Sequence, residues 1–560
     1  MRNLRGNMIV VLLAFLLFTP SSLYAVLADC EEATVTAALA GASSGETIQC
    51  PATSAPYPTW SAGVTVPAGV TFIGSGKAST FIDSASFITS VVNDGSTLGN
   101  IRFNNGSAKP ANNAEGWVIK NFYFGNADPL TRREWTVYNA GGVYYNGTFI
   151  SMRIITDGLA GSVGVAGWGD ANALGGTTGV LYIEKCVLDN SAISASTGDS
   201  NRGGRTVWRF NTFIESLVQS HGDRGDISRA TRLVEAYRNT LVRNSLSEYA
   251  FWDRGGIWIV FDNACSGSVA NGCRFFIDTE RADLPYRGYD QGTGSEPSPG
   301  ETVNGATSGA TGVIYHVVTL SGTWGVDAAG RVYIQDVTGG PFQTGEDLRI
   351  GEVAFAKATS TTYDGDTWNQ SYPIGSGSSW DTTPHPCSGT DFAVRDAAGV
   401  GIDTSPPSAA LPAVQNDQTC APSYFWNLTY NGTPAAFSNV NNTQYFIKED
   451  RDYFLDTSSV AGYGNGGVGI GLYASIPVCN AGTKWMGYWA TDRGSWNISN
   501  DGTGNGLLYV CDGAGTWGDG AGGSTAYFSP ARYPHPLIPI NEIHPNVMSG
   551  GFESGGLLSQ

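Results

Sequence analysis

The sequence predicts an all-β chain: a right-handed, single-stranded parallel β-helix with an N-terminal capping helix, a small all-β insertion and a β-rich C-terminal region. Repetition is the first reason. Thr206-Val-Trp-Arg-Phe-Asn-Thr-Phe213, Val234-Glu-Ala-Tyr-Arg-Asn-Thr-Leu241 and Trp258-Ile-Val-Phe-Asp-Asn-Ala-Cys265 share one pattern, and a fourth copy begins at Leu181 with Cys186 in place of Asn. Cys186, Asn211, Asn239 and Asn263 are 25, 28 and 24 positions apart, a period that marks a solenoid. Patterning is the second reason. Apolar residues alternate within each copy, so the unit is a strand and not a helix. Abundant Gly, Ser, Thr and Asn, with only 14% charged residues, suit an extended β-protein full of turns.

The repeat also sets a register. Ile119, Ile183, Trp208, Ala236 and Val260 fall in one column, and Phe124, Leu188, Phe213, Leu241 and Cys265 in another. Their apolar character in every copy points both columns inward. In the copy Trp117-Val-Ile-Lys-Asn-Phe-Tyr-Phe124 the Asn position holds Phe122. An Asn at a bend tolerates the left-handed conformation and bonds nearby backbone. Neighbouring coils lie about 4.8 Å apart, so stacked Asn side chains also reach one another.

Residues 1–28 read as a secretory signal. Arg2 and Arg5 supply the positive start, Ile9 to Phe18 the apolar run, and Ala25 or Ala28 the cleavage site. That run is too short to span a bilayer, and no second one occurs, so no membrane span is expected after cleavage. Residues 29–297 are assigned to the β-helix and its cap. Ala33 to Ala42 is compatible with a helix, and Thr47-Ile-Gln-Cys-Pro51, Val64-Thr-Val-Pro67 and Val70-Thr-Phe-Ile-Gly74 are short strands punctuated by Gly and Pro. This opening resembles that of secreted pectin-lyase-like β-helices, where a helix covers the open end of the solenoid. Without such a cover the first coil presents an unpaired edge and a bare core.

Composition shifts near Ser298. The stretches 300–314, beginning Gly300-Glu-Thr-Val-Asn-Gly-Ala306, and 345–355, Gly345-Glu-Asp-Leu-Arg-Ile-Gly-Glu-Val-Ala-Phe355, read as halves of a small β module inserted at 298–359, which resembles β-rich inserts of phage tail and bacterial surface proteins. Residues 360–460 return to coil-like material, with Tyr424-Phe-Trp-Asn-Leu-Thr429 echoing the repeat. Residues 461–560, rich in Trp, Tyr and Gly, form a C-terminal β module or a cap over the last coil.

A net charge of −18 argues against nucleic acid and anionic lipid as partners, since both require cationic surface. The cysteines sort by proximity into Cys30–Cys50, Cys265–Cys273, Cys387–Cys420 and Cys479–Cys511, leaving Cys186 as a buried thiol. Disulfides agree with export. The absence of CxxC pairs argues against structural zinc.

Candidate chemistry lies just before the repeat strands, in Val163–Asp170, Ile193–Asp199, Leu217–His221 and Tyr249–Arg254. Alternation places Trp168, Asp170, Ser196, Gln219, His221 and Asp253 on one outward stripe. Turns beside it carry Asp199, Arg202, Arg205, Asp223, Arg224 and Arg229. Abstracting the proton beside a uronate carboxylate requires a base and a cation that neutralises the carboxylate. His221, Arg224, Arg229, Asp223 and Asp253 are the candidate catalytic residues for this chemistry. Asp199, Asp223 and Asp253 are candidate calcium ligands. Trp168, Arg202, Arg205, Trp252 and Arg254 are candidate substrate contacts. Hydrolysis requires two carboxylates instead, and Asp223 with Asp253 is the available pair.

The pectin-lyase-like resemblance implies a site along one sheet of the solenoid and an acidic or neutral polysaccharide as partner. The paired aspartates of polygalacturonases and the Arg-x-Pro-x-x-Arg signature of pectate lyases are both missing. The expectation is a secreted, extracellular bacterial protein acting on or binding polysaccharide, with polysaccharide lyase preferred and glycoside hydrolase second. The alternatives are a non-catalytic cell-surface adhesin, a carbohydrate-binding structural protein, or a phage-like receptor-binding fibre.

Overall fold

A computed structural model describes residues 23–158, 178–222, 230–277, 286–298, 300–363, 386–387, 397–403, 418–439, 447–456, 467–499, 504–520 and 522–539. The chain winds as a parallel β-helix with three faces. An 18-stranded sheet carries the first two, and a 7-stranded sheet carries the third. Gly141–Tyr145, Leu181–Glu184, Arg205–Arg209 and Leu233–Tyr237 stack on the first face. After a bend, Thr148–Ile150, Val187–Asp189, Thr212–Ile214 and Thr240–Val242 stack on the second. The third comprises Arg133–Tyr138, Met152–Asp157, Ala195–Asn201, Ser216–Ser220, Phe251–Asp253, Phe275–Ile277 and Phe437–Asn439.

The predicted columns are the core. Ile183, Trp208, Ala236 and Val260 pair in register, as do Leu188, Phe213, Leu241 and Cys265, and all are buried. The bend itself is built differently from the expectation. The left-handed residue is the one before the Asn: Lys185, Phe210, Arg238 and Asp262 have φ of 54°, 57°, 55° and 52°. A non-glycine residue held there costs about 1–2 kcal/mol. The Asn that follows turns inward and closes the bend of the coil before it. Asn211 accepts the Cys186 N–H at 2.9 Å and donates to Ile183 O at 2.8 Å. Asn239 does the same for Asn211 and Trp208, and Asn263 for Asn239 and Ala236. The side chains also bond along the axis, Asn211 to Asn239 at 3.1 Å and Asn239 to Asn263 at 2.9 Å. Cys186 occupies the same position with sulfur, and burial pushes its thiol up to about 12.

Ser423–Tyr430 pairs directly with Ile257–Ser266, so the 145 residues between the third-face strand Phe275–Ile277 and Ser423 are inserted between two consecutive coils. Within that interval Tyr286–Gly292, Thr302–Gly305, Thr311–Ser321, Ala328–Thr338, Asp347–Ile350 and Val353–Tyr363 close into a barrel. The barrel therefore begins earlier and ends later than the composition shift at 298–359 indicates. Its own core includes Tyr289, Val303, Ile314, Val332, Leu348 and Phe355.

The N-terminal helix, Glu32–Gly41, buries Val35 and Leu39. Its Glu32 carboxylate accepts the N–H groups of Ser61 and Ala62, which pins the helix to the first coils. Tyr24–Val26, within the expected leader, pairs with Thr47–Gln49. The C-terminal region lies along the flank of the solenoid. Trp489, Trp496, Leu508, Phe528 and Tyr533 cover the outer side of the first face, against Tyr182, Val207, Tyr237 and Phe261. This is why those strands are buried on both sides. Beneath this cover Arg209 donates to Glu184, Tyr237, Ala531 O and Arg532 O, and Glu184 accepts the His535 N–H. Four disulfides join Cys30–Cys50, Cys265–Cys273, Cys387–Cys420 and Cys479–Cys511. No helix among the described residues is long and apolar enough to cross a membrane.

Candidate functional site

Register on the third face decides what reaches solvent. Gly198, Val218, Phe251 and Phe275 form an inward column, since Val218, Phe251 and Phe275 belong to the core and a Cβ on Gly198 meets Trp208. Their neighbours Asp199, Gln219, Trp252 and Phe276 therefore point outward. The next residues, Ser200, Ser220 and Asp253, point inward again, and Ser220 Oγ lies 3.3 Å from the core Trp258 Nε1. One step further, Asn201, His221 and Arg254 return to the outside.

Asp253 is thus misplaced by the outward-stripe expectation. It adjoins the outward Trp252, so the two cannot share a side, and its carboxylate is buried and accepts the Gly255 N–H at 2.9 Å. The pair Asp223 and Asp253 is not supported as hydrolytic carboxylates on that ground. The calcium trio fails for a related reason: Asp199 and Asp253 lie on opposite sides of the sheet, and Asp199 is held by cations. Among the described residues the one group with metal-ligand spacing is Cys479, Cys511 and Asp512, where both cysteines are tied in a disulfide. Arg205 begins a first-face strand in the column of Leu233 and Ile257, on the outer side of that face. Trp168, Asp170, Asp223, Arg224 and Arg229 lie outside the described residues.

His221, Asp199, Trp252 and Arg254 do come together. His221 Nε2 is 3.0 and 3.1 Å from the two Asp199 oxygens and 3.1 Å from Arg254 Nη2. The His221 backbone donates to Ser200 O at 2.8 Å, which fixes the ring above the sheet. Arg254 is anchored by Nε to Ser220 O at 2.9 Å and lies 4.7 Å above the Trp252 ring. Trp252 itself meets Tyr249 and Phe276 edge-on, and those two stack at 4.0 Å.

Arg153, absent from the sequence expectation, completes the cluster. Its guanidinium pairs with Asp199 and reaches Glu134 at 3.6 Å. Burial, then the nearby Arg132 and Arg254, lowers it to about 10, which leaves it charged at neutral pH. Arg202 extends the cluster through Asp157 at 3.5 Å. Asp199 is 2% exposed, whereas His221 and Arg153 keep 13% and 14% of their side chains in solvent. The signal for Arg153 was present in Met152-Arg-Ile-Ile-Thr-Asp157, whose alternation puts Arg153, Ile155 and Asp157 outward.

The arrangement offers one imidazole nitrogen between a carboxylate and a guanidinium, on a face lined by aromatic rings. No family model matches the sequence, and no curated protein matches it. Among solved structures, the chain is similar to an alginate lyase from Paenibacillus sp. str. FPU-7, with 12% identity over 46% of this chain and 91% of that one, at a TM-score of 0.30.

Proposed function

We propose that this chain is an exported β-helix protein that binds uronate-bearing polysaccharide along its third face and cleaves it by β-elimination. The observation that carries this reading is the meeting of Asp199 and Arg254 at His221 Nε2. A bare Nε2 accepts from Arg254 and cannot also donate to Asp199; a protonated Nε2 does the reverse. A substrate carboxylate that draws the Arg254 guanidinium to itself frees the Nε2 lone pair beside the acidic C–H. Nε2 then takes that proton, the neighbouring carbon–oxygen bond breaks to leave a carbon–carbon double bond, and solvent protonates the departing oxygen. Asp199 stabilises the imidazolium that results, and Arg254 with Arg153 offsets the charge that builds on the carboxylate. Trp252 and Tyr249 provide ring faces for sugar C–H groups. The disulfides support export.

The test is to incubate the purified chain with a panel of uronate polymers, with and without calcium, and follow the absorbance of unsaturated product. Product from at least one polymer supports the reading. Binding without product from any polymer removes the lyase step and leaves a carbohydrate-binding adhesin.

A further inference from the structure

Outside the third face, the second face carries a cationic and aromatic patch in an otherwise acidic chain. Phe81, Arg102, Tyr123 and Thr148 occupy one outward column, each in register with the next. The Arg102 guanidinium is 5.3 Å from the Phe81 ring and 4.1 Å from Tyr123, and Tyr57 stacks on Phe81 at 4.8 Å. All four of these side chains are part-exposed. At the adjoining corner runs a stack of left-handed Asn residues: Asn121 donates to Asn100 at 3.0 Å, and Asn146 donates to Asn121 at 2.7 Å.

Three of the seven lysines of the whole sequence gather at that corner. Lys77 Nζ reaches Asn146 O at 3.4 Å. Lys185 continues the corner one coil on, with Nζ 5.9 Å from the Tyr145 ring. Lys120 is in register with Tyr145, and its stem lies over Gly99, where an added Cβ comes within 3.0 Å of it. The acidic groups of the next outward column, Asp83 and Asp189, are engaged by the Asn104 side chain and the Ser191 N–H.

We infer that this corner is a second, non-catalytic binding site for an extended acidic polysaccharide running along the solenoid axis. Successive coils repeat at about 4.8 Å, close to the advance per sugar in an extended chain, so one ring or cation meets each sugar in turn. Tyr123 and Phe81, with the Arg102 guanidinium between their rings, flank the sugars, and Lys77, Lys120, Lys185 and Arg102 meet their carboxylates. The inference does not rest on the third face being catalytic.

Calorimetry with a purified oligouronate hexamer tests it, using the full chain carrying His221→Ala and Arg254→Ala so that the third face is disabled. Binding persists in this parent, weakens with added salt, and exceeds that of a neutral glucan hexamer at least tenfold. Adding Lys120→Ala and Lys185→Ala lowers affinity at least tenfold with an unchanged thermal midpoint. Thr148→Glu, which sets a carboxylate in the same column without touching either lysine, lowers it comparably. Loss of all binding in the parent overturns the inference, as does equal binding of the neutral hexamer. Affinities unchanged by both the lysine pair and Thr148→Glu overturn it too.

Discussion

Arg254 Nη2 and the Asp199 carboxylate meet the same nitrogen, Nε2 of His221, at 3.1 Å. Because one nitrogen serves only one of them at a time, the guanidinium is, in the proposed reaction, a gate on the base. Arg254→Ala removes both the gate and the cation. Its expected effect is a fall of about 100-fold or more in kcat, with KM raised by less than tenfold. Arg254→Lys restores charge without the planar fork and recovers only part of the rate. Initial rates of product absorbance over a range of polymer concentrations separate the two parameters.

Asn239 supplies an acceptor to Asn211 N and a donor to Trp208 O, and also links the Asn column along the axis. Asn239→Ala leaves buried backbone groups unmet at a bend whose Phe210 is already left-handed. Each unmet group costs about 1–3 kcal/mol, so urea unfolding is expected to show a loss of about 3 kcal/mol or more. Cys186→Ala, at the end of the column, costs less than half as much.

Glu184 and Arg209 form an ion pair that is fully buried under the C-terminal cover. Removing one partner strands a charge away from water. Arg209→Leu alone is expected to cost about 3–5 kcal/mol, and the double variant with Glu184→Leu markedly less. A double-mutant cycle by denaturant unfolding measures the difference.

His535 sits in the same interface, with Nδ1 accepting the Leu537 N–H at 3.3 Å. Burial, then Arg209 and Arg532, lowers its pKa to about 3 from 6.5. Above pH 6.5 the ring is neutral in both folded and unfolded chains. As pH falls below 6.5 the unfolded chain takes up a proton that the folded chain refuses, so stability is lost progressively toward pH 3. At about 1.4 kcal/mol per unit, the contribution between pH 7 and pH 5 is about 2 kcal/mol. His535→Gln is expected to flatten the stability profile by that amount, read from denaturant midpoints at the two pH values.

The first two faces were legible because both determinants are local: alternation fixes the side, and a repeated Asn fixes the phase. The coil Gly141–Ile150 was harder to see because Asn146 stands one position earlier, in the left-handed corner itself, while its inward neighbour is Gly147. The repeat thus uses two adjacent columns for Asn, and a search phased on Asn211 finds only one. On the third face, alternation brings His221, Asp199, Trp252 and Arg254 to the outer side, whereas Asp253, polar enough to read as outward, faces the core. Its side is set by Phe251 entering the core beside Val218, a long-range register that local polarity obscures. The lateral docking of the C-terminal region had no local signal beyond first-face strands that are apolar on both sides, such as Ile257-Trp-Ile-Val-Phe261.

Product formation by His221→Ala, measured beside the wild-type chain on a saturating uronate polymer that the wild type cleaves, bears most directly on the third-face reading. A rate at least 100-fold lower is expected, with polymer still bound and the thermal midpoint retained. A His221→Ala chain that cleaves at the wild-type rate contradicts that reading.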